Sequence, residues 1–222
     1  MTGAAIDWQG VIDACWPAAR VVEHGPWRVR VTAGAGGRVS AISGDAADPA
    51  AIAWAEAAAG AEGQRPSFVI WPGQDALDAA LAARGYVVAD AVTLWTTDVA
   101  GAERPPHVTA FPAWPPLAIM CDLWAEGGIG PARQAVMARA AVGTGILARM
   151  DDRPAGVAFV AAHRDAALLS AAWVVPALRR RGVMGSMLRA AAFWAAGRGA
   201  GTLALVAAAD NHAAAPDRKS VV

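Results

Sequence analysis

The chain has 222 residues, of which 56% are hydrophobic and 17% charged, a balance that allows one large core or two smaller ones and excludes a disordered polymer. Its formal net charge of zero leaves no overall field to draw in nucleic acid or an anionic membrane, so neither is expected as a partner. No long run is both strongly apolar and free of charge, so no membrane span is expected, and Met1–Gly10 lacks a basic stretch followed by an apolar one, which makes the cytoplasm the default location.

In chain order, Trp27-Arg28-Val29-Arg30-Val31 alternates apolar and basic residues. With the glycine turn Gly34–Gly37 and then Arg38–Ile42, it reads as a hairpin. Asp48-Pro49 opens a helix of strong helix formers through Ala59, closed by Gly60. Ser67–Trp71 reads as a buried strand, Asp75–Arg84 as a helix stopped by Gly85, and Val92–Trp95 as a further strand. Between Val99 and Pro116 the glycines and prolines are hostile to regular structure, so a linker and a domain boundary near residue 104 are expected. Beyond it, a helix over Leu117–Trp124 is interrupted by Gly127, Gly128, Gly130 and Pro131 and resumes through Ala132–Ala141. Strands Gly145–Met150 and Gly156–Ala162 flank the turn Asp151–Pro154, and a third strand runs Ala167–Val175. A helix spans about Gly182–Ala196, and Thr202–Ala208 is the last visible strand. The fold class is therefore α/β with a mixed sheet.

The stretch most informative about chemistry runs strand, basic turn, glycine, helix: Trp173-Val174-Val175-Pro176, then Arg179-Arg180-Arg181-Gly182, then Val183-Met184-Gly185. A helix start presents unpaired N–H groups and partial positive charge, glycine there admits a phosphate to the backbone, and the arginines add fixed charge. Met184, Met187, Leu188, Ala191 and Trp194 recur at helical spacing and belong to a buried face. The alternative for the arginines is an ordinary solvated turn, but the flanking strand and amphipathic helix favour a phosphate site. Cys15 and Cys121 lie in different halves without ligand spacing, so neither a disulfide framework nor a metal site is expected.

These residues resemble the GNAT superfamily of acyl-CoA N-acyltransferases, whose pattern is a Val-x-Pro strand end, Arg or Gln, two residues, Gly, one residue, then Gly or Ala. Val174-Val175-Pro176, Arg179 and Gly182 match. Met184 stands where the second small residue belongs, with Gly185 one residue late, so crowding at the pyrophosphate is an expectation to check. Asn211 matches the asparagine that follows the fifth strand. The segments around Trp27–Ile42 and Leu77–Tyr86 resemble, more weakly, the degenerate first half of tandem members. The resemblance implies a GNAT-like platform over 1–104 and an N-acetyltransferase domain over 105–216 that lacks its last helix and strands. It also implies acetyl-CoA as cosubstrate, no metal, and a small-molecule or peptide amine as acceptor; a homodimer stays open. The implied cofactor-binding set is Trp173, Val174, Val175, Arg179, Arg180, Arg181, Gly182, Val183, Met184, Gly185 and Asn211.

For the general base, relatives often carry an acid where Trp173 stands. That leaves Glu126 in the broken helix as the leading candidate, ahead of Asp122, His163 and His212. The one tyrosine, Tyr86, lies in the first half, away from the helix after Asn211 where the family keeps its thiolate donor. The alternative function is a non-catalytic acyl-CoA-binding or regulatory module. The last six residues, Asp217–Val222, contain the one lysine, Lys219, and match the translation of a sequencing-adapter read, so residues 217–222 are expected to be a non-native tail.

Overall fold

The structure is a computed structural model that describes residues 5–106, 108–209 and 220–221. It divides into two compact units: residues 18–91, and the segment ending at Pro17 together with the chain from Val92 onward. The division falls at Val92 rather than near residue 104. A run of Val, Thr, Leu and Trp specifies a strand, but only pairing decides which sheet receives it.

The second unit begins with α1 (Trp8–Cys15), whose first turn is capped by the Asp7 carboxylate accepting from Gly10 N–H at 3.0 Å. The first unit follows. Strands β1 (Arg20–His24) and β2 (Trp27–Val31) form a tight antiparallel hairpin through Gly25, which supplies the positive φ of 54° that the turn needs. The expected strand over Arg38–Ile42 is instead a 3-10 turn, Gly37–Val39, followed by β3 (Ile42–Ser43) on the other side of β2. Gly36 at φ 92° breaks the extension, and the Ser40 hydroxyl donates to the Gly36 carbonyl at 3.1 Å, a local bond that competes with a ladder. Residues 67–71 make one parallel bridge, Ile42 to Phe68, because a two-residue partner strand offers no more. Helices α2 (Pro49–Ala61) and α3 (Asp75–Ala83) close this unit over Trp27, Val29, Ile42, Ile52, Leu77 and Leu81.

The second unit resumes with β4 (Val92–Asp98) and β5 (Ala110–Ala113), then helices α4 (Ala118–Glu126) and α5 (Pro131–Met137). Strands β6 (Gly143–Met150), β7 (Arg153–His163) and β8 (Ala166–Val174) lead to α6 (Val183–Ala196), β9 (Thr202–Ala208) and the short β10 (Ser220–Val221). The sheet order is β10-β4-β9-β8-β7-β6-β5, and its one parallel pair, β8 with β9, makes it mixed. β5 lies within the stretch expected to be irregular; as the outermost strand it accommodates Pro112, which an interior strand would not.

Strand alternation sends two sets of side chains to opposite faces. Ile146, Ala158, Val160 and Leu169 meet Val183, Met187 and Ala191 of α6. On the other face Phe159 meets Trp16 edge-on, with ring centroids 6.3 Å apart, and Gly145 leaves the space that Met120 and Trp124 of α4 fill. The site described next lies where these two layers meet the end of β8.

Candidate functional site

Two irregularities of β8 create the site. The first is a bulge: Phe159 pairs with Ser170 but Val157 with Trp173, so β8 spends one residue more than β7. The extra residue falls at Ala171, in the left-handed region at φ 51°, a conformation that costs a residue with a Cβ roughly 1–2 kcal/mol. The indole Nε1 of the fully buried Trp124 donates to the Ala171 carbonyl at 2.9 Å and holds the bulge from the α4 side. The second is a parting of strands. β8 and β9 pair from Ala166–Thr202 to Leu169–Leu205 and no further, while β9 stays with β4 as far as Ala208. Beyond Leu169 the backbone of β8 therefore borders an opening in the sheet.

At the end of β8 the chain makes a 3-10 turn, Pro176–Leu178, and then the three arginines, all exposed. Arg179 donates to the Val174 carbonyl at 3.1 Å, and Arg181 pairs with Asp151 of the β6–β7 turn at 3.1 Å. Arg180 takes φ 58°. Gly182 then caps α6 at φ 88° with no side-chain cap. The first helical bond at this end runs from Ser186 N–H to the Gly182 carbonyl, 3.0 Å. The N–H groups of Val183, Met184 and Gly185 precede it and have no intrahelical partner. With no acidic residue in the first turn, they and the helix dipole favour an anion.

A Cβ on Gly182 would meet nothing within 4 Å, and one on Gly185 nothing closer than Arg189 Nη1 at 3.6 Å. Space for a ligand is therefore open on this side. Met184 is half-buried and packs against the cluster of Val183 and Met187. Gly156 on β7 lets the helix approach: a Cβ there would lie 2.9 Å from the Trp173 carbonyl and 3.1 Å from Val183. Val174 packs toward α6, and alternation turns its neighbour Trp173 toward α4, where a Cβ on Gly127 would sit 2.5 Å from the indole Cγ.

The structure thus brings together Trp173–Val175, Arg179–Arg181 and Val183–Gly185, with Gly182 between the turn and the helix. Glu126 is exposed at the end of α4, one residue before the glycine that meets Trp173, and Asp122 is exposed one turn earlier. His163 pairs with Ala166 at the opposite end of the β7–β8 ladder, about 23 Å from Trp173 at a strand rise of about 3.3 Å per residue. Asn211 and His212 lie outside the described residues. Tyr86 belongs to the first unit, where its hydroxyl donates to Glu56 at 3.0 Å.

Burial pushes the Cys15 thiol up to about 12, which leaves it an inert core residue. Among the described residues no three His, Cys, Asp or Glu side chains gather to hold a metal ion. No described helix is long and apolar enough to cross a membrane. Sequence reasoning missed the bulge at Ala171, the Trp124 bond and the role of Gly127. None has a local signature: the bulge is set by the register of β8 against β7, and the other two by contacts 47 and 46 residues apart in the chain.

Residues 111–216 match the model of the acetyltransferase (GNAT) family. Among solved structures, the chain resembles a GCN5-related N-acetyltransferase from Kribbella flavida with a TM-score of 0.65 and 20% identity, over 93% of this chain and 87% of that one. It also resembles a functionally unknown conserved protein from Staphylococcus epidermidis, with a TM-score of 0.61 and 10% identity, over 91% and 88% of the two chains. No curated protein matches it. The two structural likenesses are likenesses of fold and extend over both units. A parted parallel pair, a cationic turn and an uncapped helix start all stand within residues 111–216, the segment that matches the GNAT family model.

Proposed function

We propose that the second unit is an N-acetyltransferase that takes an acetyl group from acetyl-CoA to an amine. The observation that carries this reading is the start of α6: unpaired N–H groups behind Gly182, without a side-chain cap and with Arg179–Arg181 in front, beside the opening between β8 and β9. Bound there, acetyl-CoA supplies a thioester whose carbonyl carbon accepts a nucleophile. The helix start and the arginines bind the pyrophosphate, and the edge of β8 at Trp173–Val175 lies along the opening to orient the thioester and polarise its carbonyl. The free amine attacks that carbon, the C–S bond breaks with its electron pair going to sulfur, and the new ammonium loses one proton to a base. Glu126, exposed at the end of α4 next to Gly127, is the candidate for that base. The packing of the half-buried Met184 against the core cluster supports room for the pyrophosphate beside Gly182. Residence in the cytoplasm accords with two free cysteines, Cys15 and Cys121.

Calorimetric titration of acetyl-CoA into the full chain tests the reading. Saturable micromolar binding is expected, and no heat at high micromolar concentration would overturn it. One observation favours a second reading, a binding or regulatory module without turnover: β8 carries Trp173 where relatives often carry an acid. Acetylation of any amine by the purified chain removes that reading.

A further inference from the structure

Gly127 ends α4 at φ −78° and ψ 6°, dihedrals that any residue adopts. The backbone therefore does not call for glycine at this position. Space does: a Cβ at 127 would lie 2.5 Å from Cγ and 3.0 Å from Cβ of Trp173. The bare end of α4 and the indole on β8 are matched to each other across 46 residues of chain. Trp124, three residues before Gly127, fixes the same stretch of β8 through its 2.9 Å bond to the Ala171 carbonyl. Trp173 is thus held from one side by Gly127 and along the strand by the bulge. It stays half-buried, at the part of β8 that has already left β9. The carboxylate nearest in the chain to this contact is that of Glu126, which is exposed.

The geometry points to Trp173 as the specificity-determining residue of the acceptor side, its indole forming the wall against which an amine with a flat apolar body stacks while Glu126 meets the ammonium group. An indole face attracts both an aromatic ring and an adjacent cation. An arylalkylamine presents the two together, whereas a polyamine has no flat apolar body to lay against the indole. The assignment rests on the acetyltransferase reading and narrows it to a substrate class.

Phenethylamine and spermidine are the probes, with the full-length chain. In saturation-transfer NMR without acetyl-CoA, the phenethylamine ring protons are expected to be saturated by the wild type and to lose most of that signal with Trp173→Ala. In steady-state transfer, the wild type is expected to have the lower KM for phenethylamine. Trp173→Ala and Gly127→Ala should each raise that KM at least tenfold, and by a larger factor than they raise the KM for spermidine. Gly127→Ala keeps the tryptophan but displaces it, so it decides the matter if Trp173→Ala fails to fold. Equal ring saturation in wild type and Trp173→Ala, a lower KM for spermidine, or an unchanged phenethylamine KM in the variants overturns the assignment. Absence of acetyl-CoA binding would instead sink the acetyltransferase reading, and the NMR measurement then decides this one by itself.

Discussion

The starts of α2 and α3 in the first unit and of α6 in the second carry opposite chemistry. In the first unit α2 opens on Asp48, whose carboxylate accepts from Ala51 N–H at 2.9 Å, and α3 has Asp75 and Asp78 in its first turn. Those ends are satisfied or shielded by the protein's own negative charge and repel a phosphate. In the second unit α6 opens on Gly182 in the left-handed conformation, uncapped, without acid in its first turn and behind three arginines. The sheets differ in the same sense. Three antiparallel strands stay paired in one, while in the other a parallel pair parts after Leu169 and Leu205. A phosphate site needs the vacancy at the helix start, and an acyl site needs the opening beside it. The second unit has both, and its fold tolerates the cost because α4 and α6 hold β8 from either face.

The largest effect should come from dividing the chain at residue 104. Residues 105–222 alone lose β4, which pairs with all seven residues of β9, and α1, which buries Val11 and Cys15 next to the buried Trp16. At about 1.5–3 kcal/mol for each large buried side chain, the loss rivals the whole stability of an ordinary domain, about 5–15 kcal/mol. The fragment is expected to show no cooperative thermal transition by circular dichroism. A transition matching that of the full chain would show that the second unit does not need those segments.

Exchanging the cap chemistry sharpens the comparison. Gly182→Asp gives α6 the kind of start that α2 has and should weaken acetyl-CoA binding at least tenfold, about 1.4 kcal/mol, measured by calorimetry. Asp48→Ala removes the cap of α2 and should cost about 1 kcal/mol of stability while leaving acetyl-CoA affinity alone. Equal affinity loss from both substitutions would erase the distinction between the two helix starts.

The smallest effect is a pH dependence confined to the first unit. Hydrogen bonding to the Arg84 guanidinium, with a further bond from Tyr86, holds the Glu56 carboxyl below its ordinary value of 4.5. Its contribution is complete above that ordinary value and is lost as pH falls through the lower folded-state value. Burial and the bond to Glu56 push Tyr86 up to about 12. That stability is present below the ordinary value of 10 and is lost as pH rises from there toward about 12. Denaturant midpoints should therefore fall less for Glu56→Gln than for the wild type between about pH 5 and pH 3, and an identical fall would exclude the pair as the cause.

Legibility followed the range of the interactions. The elements β6 to β9 and α6 begin and end within a few residues of where hydrophobic period and turn residues place them, because strand alternation and helical spacing are local properties. β1 went unread because Val21 and Val22 sit between charged residues and the strand is largely exposed. β5 went unread because Pro112 signals irregularity, and only an edge position rescues it. The Arg38–Ile42 strand failed because Ser40 and the glycines prefer a turn once Ile42 is held by β2 and Phe68.

The element proposed to take a phosphate was legible along the chain: a strand ending in proline, a basic turn, Gly182 and an amphipathic helix are consecutive, and their chemistry needs no distant partner. Only tertiary contacts settled that β4 joins the second sheet, that β8 bulges at Ala171, that Met184 packs against the core cluster and that Trp173 rests on Gly127. Each of these depends on which segment arrives opposite another, and a side chain's role on a sheet is settled by its neighbours across the ladder and above it rather than by those beside it in the chain.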